Sequence, residues 1–206
     1  MLFSFDGQVQ FFKTSILGDL EERDLTLKDI YRSVEALEPY ILLFPGLPFY
    51  ETNDFPQTTA RSPYVNLLHD TPSGAKTVPC PFEYATLFGA LIDRNYRDYM
   101  RLTGRPARPY TVNMWANLWR EGESLTWHAH DFDVHGYICI HAQPSTTLFR
   151  SPYDGAVHAN ENVDGMLYLF SDPNSRERGA WPHQISAWEH QGRRLTLGFD
   201  ISLNPP

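Results

Sequence analysis

Four of the chain's eight histidines lie between positions 128 and 141, and two of them are separated by one residue, in Trp127-His128-Ala129-His130. On a β-strand alternate side chains share a face, so this spacing aims both imidazoles at one ion. His183 supplies a third imidazole from a distant segment. Imidazole suits iron, zinc and copper, and three protein ligands on one side of an ion leave positions open for substrate or dioxygen. Asp131 and Asp133 come soon after and are the alternative carboxylate ligands. Each is out of phase with His128, so a bulge or turn would have to re-aim it. A His-x-His pair arises readily by chance, and alone it carries little weight. His135 and His141 share a face with Tyr137 and Cys139 on the next segment, where packing or surface exposure is expected of them, with a place in a pocket lining as the alternative.

The segments on either side of His183 are more specific. Arg194 stands eleven residues on and Thr196 two further, while Gly165-Met166-Leu167-Tyr168-Leu169-Phe170 precedes it. Upstream come Trp115-Ala116-Asn117, Gly122, the histidine pair and Gly136-Tyr137. This ordered series resembles the C-terminal half of the double-stranded β-helix 2-oxoglutarate/Fe(II)-dependent oxygenases, over about residues 110 to 201. In that superfamily a glycine-led strand precedes a distal metal-binding histidine, and an Arg-x-Ser/Thr or Lys-x-Ser/Thr pair comes after it.

The resemblance implies a jelly-roll, cupin-like barrel and an oxidoreductase that uses Fe(II), 2-oxoglutarate and O2. It implies that His128, His130 and His183 hold the iron and that 2-oxoglutarate chelates it. Arg194 would pair with the far carboxylate, where a planar guanidinium forms two charge-assisted hydrogen bonds, and Thr196 would add a hydroxyl. The reaction implied is hydroxylation of a small molecule or a side chain, with release of succinate and CO2. Asn117 is a further candidate for cosubstrate contact, with a packed or strand-capping asparagine as the alternative. One feature departs from the pattern: most members carry Asp or Glu where His130 stands.

These residues need a β-rich frame. Tyr110–Trp119 is dense in β-formers and aromatics, and Gly136–Ile140, Thr146–Phe149, Gly165–Phe170 and Arg194–Ile201 come after it at intervals marked by Gly, Pro, Asn and Asp. That rhythm predicts an antiparallel sandwich or barrel. Two helices are expected earlier. Thr26-Leu27-Lys28-Asp29 is a capping-box-like start, with Ile30, Val34 and Leu37 at helical spacing, and Pro39 places the end near Glu38. A longer helix is expected from about Pro81 to Leu102, stopped by Gly104 and Pro106. Residues 45–80 read as long loops with one or two strands. The expected architecture is α+β, mainly β: one domain over 1–206, with a helical and loop part over 1–108 flanking a β-barrel core over 109–206.

The chain has 206 residues, of which 42% are hydrophobic and 20% charged, the balance of a globular protein with a sizeable core. Its net charge of −8 argues against nucleic acid or an anionic membrane as partner, since both attract clustered positive charge. No apolar run is long enough to cross a bilayer, the N-terminus shows no secretory pattern, and two cysteines make no disulfide framework. A cytoplasmic protein acting on a small molecule is the expectation, with a homodimer open to it. Three histidines also make a good zinc site for activating water, or a cupin-type dioxygenase site that uses no 2-oxoglutarate. A non-catalytic, ligand-binding cupin is the remaining alternative. Neither the zinc site nor the cupin dioxygenase explains Arg194-x-Thr196, and the convergence of three imidazoles speaks against the non-catalytic reading.

Overall fold

The computed structural model describes residues 1–3, 10–41, 65–70, 82–130, 133–171 and 181–203. Two antiparallel sheets face each other in a jelly-roll. The larger has seven strands: β1 (Leu2–Phe3), β2 (Gln10–Ser15), β9 (Met166–Ser171), β6 (Val134–His141), β11 (Arg194–Leu203), β4 (Tyr110–Trp119) and β3 (Val65–Asp70), in that spatial order. The smaller runs β5 (Leu125–His128), β10 (His183–Ile185), β7 (Ser145–Arg150) and β8 (Val157–Asn162). The expected strands in the second half are all present. The first 108 residues supply not only helices but also β1, β2 and β3, which pair onto both ends of the larger sheet. Asp131 and most of the 45–80 stretch lie outside the described residues.

The period of two divides each central strand between two environments. On β4, Val112, Met114, Ala116 and Leu118 join one apolar cluster with Leu195, Leu197, Phe199 and Ile201 of β11. The helices pack on this outer face. Helix α2 (Leu27–Ile41) contributes Ile30, Val34 and Leu37, and α3 (Ala85–Leu102) contributes Phe88, Leu91, Ile92, Tyr96, Tyr99 and Met100. A short helix, α1 (Leu17–Glu21), buries Leu20 beside them. The opposite face of the sheet points into the barrel, with Tyr137, Cys139, Tyr168 and Phe170 packed against Phe149 of the smaller sheet. On β11 the inward set is Arg194, Thr196, Gly198 and Asp200, paired in register with Trp119, Asn117, Trp115 and Asn113 of β4.

Local signals explain the helix ends, with two corrections. The capping box forms: Asp29 accepts from the Thr26 N–H at 2.8 Å, and the Asp29 N–H donates to Thr26 Oγ1 at 3.3 Å. Helix α2 runs past Glu38 to Ile41. Pro39 falls in the last turn, where its missing N–H removes a single bond of the ladder. Helix α3 begins at Ala85, because the chain first turns at Glu83–Tyr84, with the Ala85 N–H donating to the Phe82 carbonyl at 3.1 Å. It ends at Leu102 as expected, and the φ of +70° at Gly104 lets the Arg105 N–H reach back to the Met100 carbonyl at 2.9 Å.

Candidate metal centre

His128 closes β5 and His183 opens β10, and the antiparallel register sets them directly opposite each other. Their ring centroids are 4.1 Å apart. His130 does not continue the strand, although the spacing of the pair suggests that it would. The ladder between β5 and β10 ends at His128↔His183, and His130 lies just beyond it. Its ring nonetheless stands 5.1 Å from both His128 and His183. One ligand atom from each of the three lies within 4.8 Å of the others, close enough for all to bind one ion after small adjustments. His183 is buried, and its ring lies against those of both other histidines.

Two further residues complete the cluster. His135, on β6, is buried with its ring stacked on His130 at 4.0 Å, so it is neither surface-exposed nor merely packed. Asp200, on β11, accepts from the Nδ1 of both rings, from His135 at 2.5 Å and from His130 at 3.1 Å. His130, His135 and Asp200 thereby form a second group of potential ligands that shares His130 with the first. Asp133 belongs to neither group: its carboxylate accepts the Leu203 N–H at 2.8 Å and ties down the end of β11.

Burial dominates the electrostatics. It lowers the His135 imidazole to about 4, with repulsion from His130 adding to the effect and Asp200 opposing it. Burial also holds His183 well below the ordinary histidine value, and His128, His130 and His135 push the same way. For Asp200, burial alone would raise the carboxyl. Attraction to His135 and the hydrogen bonds from His130 and His135 outweigh it and hold the group at about 2. At neutral pH His135 and His183 are therefore uncharged beside a carboxylate, a donor set that suits a divalent cation.

Deeper in the barrel lies Arg194, fully buried. Its Nε donates to Ser145 Oγ at 3.1 Å and its Nη1 to Thr196 Oγ1 at 3.4 Å, while the guanidinium lies 4.9 Å from the Trp119 ring. Its Nη2 is buried and unpartnered, and no carboxylate among the described residues forms an ion pair with it. Burial lowers its pKa, opposed by Cys139, Tyr137 and Asp164, yet an arginine keeps its charge in a protein interior. Around it runs a polar belt. Asn117 Nδ2 reaches Thr196 Oγ1 at 3.5 Å, Asn162 Nδ2 donates to Ser145 at 2.9 Å, and Asn160 Nδ2 donates to the Tyr137 hydroxyl at 2.7 Å. Arg193 precedes β11 and is only half-buried.

No family model matches the chain, and no curated protein is similar enough to count as a relative. Solved structures do match. A prolyl-4-hydroxylase from Pseudomonas putida aligns over 95% of this chain and 93% of its own, with a TM-score of 0.56 and 13% identity. A dioxygenase for auxin oxidation from Arabidopsis thaliana, solved with 2-oxoglutarate, aligns over 95% and 84%, with a TM-score of 0.52 and 10% identity. An oxidoreductase of the 2OG-Fe(II) oxygenase family from Burkholderia pseudomallei aligns over 68% of this chain and 66% of its own, with a TM-score of 0.50 and 11% identity. The fold is the one shared by these oxygenases.

Proposed function

We propose that this chain is an Fe(II)- and 2-oxoglutarate-dependent dioxygenase that hydroxylates a small molecule or a side chain, with release of succinate and CO2. The observation that carries the proposal is Arg194: a fully buried guanidinium with a free Nη2 and no ion-pair partner among the described residues. An uncompensated buried charge is costly, and a chain that keeps one has a use for it. A carboxylate of a dianionic cosubstrate is the partner of matching charge and planar shape. A zinc hydrolase built on the same histidines has no need of that cation.

In this scheme His128, His130 and His183 hold the ion, and iron supplies activation of dioxygen when bound. Arg194 grips the far carboxylate of 2-oxoglutarate, Thr196 and Ser145 hold the guanidinium in place, and Asn117 steadies the Thr196 hydroxyl. Trp115 and Phe170 stand beside the imidazoles, 5.7 Å from His130 and 6.0 Å from His183 between ring centroids. The identity of the neighbouring folds, two of them hydroxylase or dioxygenase structures, supports the same chemistry.

The test is anaerobic addition of Fe(II) and then 2-oxoglutarate, monitored by absorption. The expected result is a weak visible charge-transfer band that needs both components and is lost in His183→Ala. A protein that holds zinc tightly and develops no such band would overturn the proposal.

A further inference from the structure

We infer that Asp200 is the positioning residue of the metal site, acting through His130 by accepting the Nδ1 proton and so reserving Nε2 for the ion. The inference rests on the proposed ligand set and extends it to residues outside it. His128 and His183 are held by the β5–β10 ladder, but that ladder stops before His130. Three side chains hold His130 instead. Asp200 Oδ2 lies 3.1 Å from its Nδ1, His135 stacks on one face at 4.0 Å with a 26° tilt, and Trp115 lies nearly parallel at 5.7 Å and 17°.

Asp200 is well placed for the task. It sits where β11 is paired on both sides, with Asn113 of β4 and His135 of β6 as its direct neighbours in register. Its other oxygen is taken by His135 Nδ1, so each carboxylate oxygen serves one imidazole and the carboxylate cannot swing away. Gly198, the preceding inward position, leaves room for Trp115: a Cβ there would lie 2.7 Å from the Trp115 Cε2. The parts that orient His130 thus come from three adjacent strands of the larger sheet, whereas its fellow ligands belong to the smaller one.

The hydrogen bond sets the chemistry of the ring. A neutral imidazole has one N–H and one lone pair, so a carboxylate on Nδ1 fixes the tautomer with the lone pair on Nε2. It also makes that ring a stronger donor. Where most oxygenases of this type bind the metal through a carboxylate, this chain binds through His130 and keeps the carboxylate one layer behind it.

The test uses Co(II), which reports its coordination in the visible spectrum and does not consume 2-oxoglutarate. The wild-type protein is expected to bind one Co(II) per chain. Asp200→Asn is expected to bind one Co(II) about 10- to 100-fold more weakly, the usual effect of losing such a partner. Unchanged affinity in Asp200→Asn overturns the inference. So do two Co(II) per wild-type chain with one lost in both Asp200→Asn and His135→Ala, because Asp200 would then be a direct ligand. No Co(II) binding by the wild-type protein overturns the ligand set itself. A measurement on the wild-type chain guards against a variant that fails to fold. In the zinc-loaded protein, long-range ¹H–¹⁵N correlation should show His130 protonated at Nδ1, and protonation at Nε2 overturns the inference.

Discussion

Replacing Arg194 by methionine separates what this residue does for folding from what it does for binding. The side chain is fully buried and carries a charge with no ion-pair partner among the described residues, so its removal sheds a desolvation cost. An apolar side chain of similar length in place of buried ionic groups is often neutral, or stabilising by about 1–4 kcal/mol. Against this stand the bonds to Ser145 and Thr196 and the contact with Trp119, but both hydroxyls keep another partner, Asn162 and Asn117 respectively. The ligand-free Arg194→Met protein should therefore melt at or above the wild-type temperature. Binding should behave oppositely. A hydrogen bond to a charged group contributes about 1.5–3 kcal/mol, so losing two to one carboxylate weakens 2-oxoglutarate about 10²- to 10⁴-fold. Thermal denaturation with Fe(II) under anaerobic conditions reads both effects. At 2-oxoglutarate near 100 times the wild-type Kd, the wild-type protein gains about 2.7 kcal/mol, and the variant less than about 0.4 kcal/mol. For a domain of this size those values correspond to shifts of about 5–11 °C and under about 2 °C. A ligand-free Tm that falls steeply, together with an undiminished response to 2-oxoglutarate, would refute the reasoning: Arg194 would then be a structural cation.

Gly198→Ala should force Trp115 off His130, costing about 1–3 kcal/mol of stability by overpacking and weakening Co(II) binding as well; an unchanged Tm and affinity would show that the Trp115 contact is dispensable. Cys139 is buried, and burial raises its thiol to about 12, so in a Cys80→Ser background a disulfide-exchange reagent at pH 8 should react only as the protein unfolds. Because the folded thiol keeps its proton above the unfolded value of 9.0, its contribution to stability is present below pH 9 and is lost as pH rises towards 12, which pH-dependent urea denaturation of Cys139→Ser against the parent measures.

The strand rhythm of the second half was legible because barrel strands must alternate between two environments, and Tyr110–Trp119 and Arg194–Ile201 carry that alternation in their residue types. The smaller sheet was harder to read. β10 has three residues, and β8 alternates exposed and buried positions with Asn160 and Asn162 facing inward, so it lacks the apolar signature of a strand. The N-terminal strands were obscured for a related reason. β1 and β2 gain their meaning from the edge of β9, which they extend, and the short Leu2–Phe3 run does not announce a partner so distant in sequence. Pro39 misled because the restraint it places on Glu38 is a bias and not a bar, and the helix runs on to Ile41.

Asp200 and His135 were in principle within reach. Once Arg194 and Thr196 face the barrel interior, period two brings Gly198 and Asp200 to the same side, and a carboxylate inside a barrel requires partners. Sequence spacing directs attention to residues near the histidine pair, such as Asp133, yet that carboxylate is occupied with the end of β11. The partner of His130 comes instead from seventy residues downstream, through the register that pairs β11 with both β4 and β6. The result is a barrel whose charges are graded along one strand. Arg194 supplies a cation at one end of the inward set and Asp200 an anion at the other, with Thr196 and Gly198 between them. A bound dicarboxylate would turn its free carboxylate towards Arg194, and a cation would settle at the end where Asp200 and the imidazoles gather. That polarity would orient the cosubstrate before any contact with the substrate is made, and it arises from a single strand that pairs on both sides.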